Sequence, residues 1–189
     1  MNKFAAFSLL LVLLAVIAPC ISAACASEQK GNREKNMDGK LPFDPTTAKD
    51  ITPAAFKDIL KVYKTPESNS SMPTYTVRGS ECLSLGTSFG GSGVYSVIAA
   101  DVNHDGKQEL VYACSWGSGM HRTNIGLVEV GKRLVEYRAP DALLFDDEDI
   151  KLLSDNGRVT VSVKGKPFAD IVFSTNSQKN KSLVLKKLK

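Results

Sequence analysis

Histidine and tryptophan are scarce in this 189-residue chain, with two of the first and one of the second, and only four cysteines are present. Cys20 and Cys25 fall at the N-terminus, which leaves Cys82 and Cys114 with His104 and His121 for the rest of the chain. A structural zinc site takes four tightly spaced Cys or His ligands, so this supply argues against one. Phosphate-loop, dinucleotide-fingerprint and HExxH patterns are missing, and no block recurs along the chain as the repeats of a full propeller would. After the first 24 residues no stretch is apolar enough to cross a bilayer as a helix.

The one long apolar run stands at the start. Lys3 precedes an almost unbroken apolar stretch at 4–17, followed by Pro19 and the small residues Ser22, Ala23, Ala24 and Ala26. Basic start, apolar middle and small-residue exit are the order of a secretory signal, so residues 1–24 are expected to direct export. Ser22-Ala23-Ala24 before Cys25 resembles a bacterial lipobox, with Ser22 where Leu is usual. Lipid attachment at Cys25 would make a cell-envelope lipoprotein; cleavage after Ala24 or Ala26 would give a secreted or periplasmic product. Residues 25–41 are charged and lack apolar periodicity, the composition of a tether.

What remains, residues 42–189, is long enough for one core. Thr52-Pro53 followed by Phe56, Ile59, Leu60 and Tyr63 gives a capped start and i, i+3, i+4, i+7 spacing, which predicts a helix. Beyond it the period falls to two. Strands are expected at 74–78, 94–100, 110–114, 125–130, 134–138, 159–163, 169–174 and 182–188. Gly90-Gly91, Asp105-Gly106, Gly131-Lys132, Asn156-Gly157 and Lys166-Pro167 read as the turns between them. The expected fold is α+β to mainly β: an N-terminal helix packed on antiparallel strands in a sandwich, small barrel or blade-like meander. In an oxidising compartment Cys82 and Cys114 could close a loop of about 30 residues, contributing about 3–4 kcal/mol; two buried thiols are the alternative. The net charge is +4, with lysines concentrated at 179–189 around Leu183-Val184-Leu185. That pattern suits a guarded edge strand better than a nucleic-acid or anionic-lipid site, so membrane contact is expected only through a lipid on Cys25.

One segment carries chemistry. Asp101, Asn103 and Asp105 place side-chain oxygens at alternate positions, Gly106 permits a sharp bend, the Lys107 carbonyl can turn inward, and Glu109 can close the shell. Ca²⁺ takes six to eight oxygen ligands, and this spacing wraps them around one point. An acidic turn without an ion is the competing reading, although three carboxylates within nine residues repel one another. Position 12 of this loop is Tyr112 rather than a bidentate Glu and the flanks are strand-like, so it is no EF-hand. The run VIAADVNHDGKQELVYAC resembles the calcium-binding strand–loop–strand segment of FG-GAP/VCBS-type repeats of extracellular proteins. That resemblance implies a structural Ca²⁺ on Asp101, Asn103, Asp105, Lys107 and Glu109. A looser likeness over 101–126 is to secreted bacterial inhibitors of invertebrate-type lysozyme, in which a Ser-Gly loop enters the enzyme cleft. It implies Ser118 and Gly119 as the matching positions.

Trp116, His121 and Arg122 share that glycine-rich loop, and Trp and Arg are favoured contact residues, so it is a candidate recognition surface. A Trp covering the core edge is the plainer reading. Gly86-Thr87-Ser88-Phe89-Gly90 fits a nucleophile elbow in letters only, because glycines and a strand-like run follow where a helix is needed. Asp146-Asp147-Glu148-Asp149 lacks the alternate spacing of a ligand loop. The sequence therefore points to an exported, calcium-stabilised, non-catalytic binding module with an extracellular protein or glycan as its partner and no nucleic acid. An inhibitor of a lysozyme-like hydrolase acting through 116–122 is the alternative, and a small hydrolase using Ser88 a remote one.

Overall fold

The computed structural model describes residues 40–67, 71–86, 91–117, 122–140, 143, 149–178 and 180–188. These build three four-stranded antiparallel sheets, each a meander of consecutive strands. The first comprises β1 (Lys49–Asp50), β2 (Lys61–Lys64), β3 (Thr74–Arg78) and β4 (Glu81–Leu85). The central sheet comprises β5 (Gly93–Ala100), β6 (Glu109–Trp116), β7 (Arg122–Val130) and β8 (Leu134–Arg138). The third comprises β9 (Ile150–Asp155), β10 (Arg158–Val163), β11 (Lys166–Thr175) and β12 (Lys181–Lys187). No helix among the described residues is long and apolar enough to cross a membrane.

The central sheet is covered on both faces, which is why β6 reads as a nearly continuous apolar run rather than an alternating one. Leu110, Tyr112 and Cys114 meet Phe56, Val62, Leu83 and Leu85 of the first-sheet side. Val111 and Ala113, with Ile125 and Leu127 of β7, meet Leu152, Val159, Val161, Ile171, Phe173 and Leu183 of the third sheet. Two cores thus share one wall.

The expected helix is absent. Only a single 3-10 turn, Ala54–Phe56, forms there, and the chain continues into β2. Phe56 and Leu60 are buried as both periods require, but Ile59 is 51% exposed, whereas a helix would have buried it. Val62 is fully buried and pairs with Thr76, so a period of two wins from Leu60 onward. Thr52 does cap, but for a strand: its Oγ1 accepts from the Val62 amide at 2.8 Å.

Cys82 and Cys114 do not form a disulfide. Alternation explains this: Leu83 and Leu85 of β4 face the core that holds Cys114, which turns Cys82 to the opposite face of the first sheet. Lys166-Pro167 is likewise no turn but the start of β11; the bend is one step earlier, at Lys164 (φ 50°) and Gly165 (φ 75°). Asn156-Gly157 does make its hairpin, with φ of 49° and 80° as a type I′ turn demands.

A buried polar cluster fastens the first sheet to the central one. The Tyr112 hydroxyl donates to Glu136 Oε1, which also accepts the Gly86 amide at 2.9 Å. Arg138 donates through Nε at 3.0 Å and Nη2 at 2.7 Å to Glu136 Oε2. The Glu136 side chain has 0% exposure. Burial, then the Glu136 charge, holds the Tyr112 phenol well above its ordinary value. Tyr112 lies opposite Gly126, and its ring occupies the space a Cβ at that position would need. Gly126→Ala should therefore cost about 3 kcal/mol or more by displacing the ring from Glu136, read as a lower urea midpoint.

Candidate cation site and recognition loop

The loop between β5 and β6 begins after Ala100 and ends at Glu109, which face each other in register. Its interior is organised by its own carboxylates. Asp101 accepts the Asp105 amide on Oδ1 at 3.0 Å and the Gly106 amide on Oδ2 at 2.9 Å. Asn103 Oδ1 also accepts from the Asp105 amide at 2.9 Å, and Asp105 Oδ1 accepts the Lys107 amide at 2.9 Å. Gly106 and His104 take positive φ, 85° and 59°, which folds the loop back on itself. Val102 is buried in the core shared with the third sheet and anchors the loop at its base.

Carboxylate oxygens of Asp101, Asp105 and Glu109 all lie within 4.8 Å of one another. Asp105 is exposed and Asp101 half-buried, whereas Glu109 is 2% exposed. Asn103 is joined to the group by its amide nitrogen, 3.2 Å from Asp105 Oδ2, and Lys107 by its backbone amide. Two unit charges of one sign at about 4–5 Å repel appreciably even near a protein surface. The Glu109 pKa is raised, first by burial, against the Val102 amide hydrogen bond and with the Asp105, Asp101 and Glu129 charges adding to the rise.

The loop also touches the third sheet. A Cβ on Gly157, in the β9–β10 turn, would stand 3.0 Å from His104 Cε1 and 3.5 Å from the Asp101 carbonyl oxygen. His104 thus faces out of the carboxylate group and packs on the neighbouring hairpin. That packing depends on a partner some fifty residues away and has no local signal in the sequence.

At the other end of β6, Trp116 pairs with Arg122 of β7, and the guanidinium lies over the indole, 5.4 Å from the ring centroid. Arg122 is exposed and Trp116 half-buried. Among the described residues, the buried indole Nε1 has no hydrogen-bond partner, and neither does Ser115 Oγ. Ser118, Gly119 and His121 lie outside the described residues, as do Cys25, Ser88 and Asp146, Asp147 and Glu148. Missed in the sequence were Tyr95 and Thr123, whose hydroxyls bond at 2.7 Å near this end of the sheet.

No family model, curated protein or solved structure matches this chain.

The sign of the Glu109 effect is testable. A carboxyl whose folded pKa is raised contributes stability below its unfolded pKa and loses it as pH rises through the folded one. Asp44, Asp50 and Asp170, with lowered pKa values, act in the opposite sense. Wild type minus Glu109→Gln isolates the first: in chelated buffer the substitution should stabilise the protein at pH 7, and the gain should shrink toward pH 4 in urea melts.

Proposed function

We propose that this chain is an exported, non-catalytic binding module of the cell envelope or secretome, its β5–β6 loop fixed by a Ca²⁺ ion. The convergence of Asp101, Asp105 and Glu109 within 4.8 Å at a hairpin between two core strands carries this reading. The ion would take the carboxylate lone pairs left over from the backbone amides, with Asn103 and the Lys107 carbonyl completing the oxygen shell. Its part is structural. It removes the repulsion that opposes the bend, and through Val102 and His104 a settled loop fixes how the central sheet meets the third. A Kd of the extracellular class, about 10⁻⁴ to 10⁻³ M, suits a loop with exposed acids.

The contact surface in this reading is the opposite end of the central sheet, where Arg122 is held over Trp116 and loses little freedom on binding. Inhibition of a lysozyme-like hydrolase through this end is the specific form of the same idea. Export itself rests on residues 1–24, with Cys25 as the candidate lipid acceptor.

Calcium at tenfold its Kd should raise stability by about 1.4 kcal/mol, and so the Tm by about 3–6 °C. Asp101→Asn with Asp105→Asn should abolish the rise; calorimetry without heat of binding, together with a Tm indifferent to EDTA, would sink the reading. Trp116→Ala with Arg122→Ala should remove partner capture from host secretions or cell-wall extract, in a pull-down with calcium present, while leaving the calcium-dependent Tm rise in place.

A further inference from the structure

The third sheet gathers lysines at one end. β9 starts there, β10 ends there, β11 starts there and β12 ends there. The register accordingly brings together Lys151, opposite Ser162; Lys166, opposite Val163; and Lys187, opposite Ala169, with Lys186 beside it opposite Asp170. Lys164 occupies the β10–β11 bend, and all five are exposed. Lys164 pairs with Asp149 at 3.3 Å, and Asp170 is taken by Arg158 at 2.8 Å. Lys186 also shares the Asp170 charge across the strand pair, whereas Lys151, Lys166 and Lys187 have no ion pair among the described residues, so positive charge at this end is only partly offset there. Asp146, Asp147 and Glu148, which precede β9 in sequence, lie outside those residues.

Apolar groups stand among the lysines. Pro167 is exposed, Phe168 and Leu188 are half-buried, and the Leu188 amide donates to the Phe168 carbonyl at 2.9 Å. Lys187 reaches over the Phe168 ring, 6.0 Å from its centroid. Guarding an edge strand accounts for Lys186 and Lys187 on β12. It does not account for Lys166 or for the exposed proline beside it, and Phe168, though packed on one side against the core, stays partly open here. All the unpaired bases here are lysines, compact charges on long stems, and they spread across four strand ends rather than converging on one point. That suits a diffuse plane of phosphates better than a single phosphate held in a fork.

We infer that this end of the third sheet docks on an anionic phospholipid surface, the lysines meeting headgroups and Phe168, Pro167 and Leu188 meeting the headgroup–acyl boundary. The aliphatic and aromatic groups decide between lipid and nucleic acid, because a polyphosphate chain offers nothing to cover them. The surface is distinct from the acidic loop and from Trp116–Arg122, so it stands or falls separately from the calcium reading.

Vesicle co-sedimentation tests this, with the chain carrying Cys25→Ala so that no lipid is attached and any contribution of residues 1–24 is common to every variant. Binding to phosphatidylglycerol-containing vesicles should exceed binding to phosphatidylcholine alone and fall steeply with salt. A basic residue near such a surface is worth about fivefold in affinity, so Lys166→Gln/Lys186→Gln/Lys187→Gln should weaken binding at least about tenfold. Lys49→Gln/Lys57→Gln/Lys132→Gln, exposed lysines elsewhere, should not. Phe168→Ser should weaken vesicle binding but leave unchanged any retention on DNA. Equal binding to both vesicle types, equal losses in the two triple variants, or DNA retention as strong as vesicle binding with Phe168→Ser without effect would each overturn the inference.

Discussion

A carboxyl group with no exposure to water is held between two of the three sheets, and the packing around it follows from keeping Glu136 satisfied. Its oxygens accept from the Tyr112 hydroxyl, the Gly86 amide and the Arg138 guanidinium. Each donor comes from a different place: β6, the end of β4 and β8 itself. Losing Arg138 would break a buried ion pair, at a cost of about 3–5 kcal/mol, and losing either neutral donor would leave a buried oxygen underpaired, at about 1–3 kcal/mol. The cluster therefore fixes position more than it adds net stability. It matters because the inner face of the first sheet is partly polar, with Thr74 and Thr76 buried beside Val62 and Leu85. An interface of that kind has fewer ways to be specified by shape alone. The cluster also explains why β7 carries a glycine opposite Tyr112: the ring must lie flat across β7 for its hydroxyl to reach Glu136.

Where the chain's pattern was local, it could be read. β3 and β8 match the expected 74–78 and 134–138 because alternation and turn residues both mark their ends. The helix expected from Thr52 failed because Phe56 and Leu60 satisfy either period, and only Ile59 and Val62, one exposed and one buried, separate them. β4 and β9 were not foreseen; each is short, and Cys82 beside Leu83 and the exposed Leu153 beside Leu152 interrupt the alternation of their buried Leu83, Leu85, Ile150 and Leu152. The run 110–114 was expected as a strand of period two; that both its faces are covered, and by which sheets, is a matter of long-range pairing. Glu136 had a faint signature: it shares the core parity of Leu134, with Arg138 two residues on along the same face.

The acidic loop was legible for the same reason that β3 was. Asp101, Asn103, Asp105 and Glu109 lie within nine residues, so their spacing alone nearly determines that they meet. The Cys82–Cys114 bridge was not, since whether two thiols face one another depends on which side of each strand they occupy. Contact between His104 and the Asn156-Gly157 hairpin depends on how two sheets stack, and no segment of either carries that information.

Because every sheet pairs strands in chain order, each hairpin joins neighbours and no crossover must be threaded. Local pairing of this sort lowers the entropy of loop closure and favours rapid folding of the individual sheets. The middle sheet is the exception in one respect: its apolar strand β6 has two faces to cover, one by residues before it and one by residues after it. A chain delivered from its N-terminus would settle one face early and leave Val111 and Ala113 wet until β9 to β12 followed. That interval, with a hydrophobic wall waiting for its second cover, is when this protein is most open to aggregation.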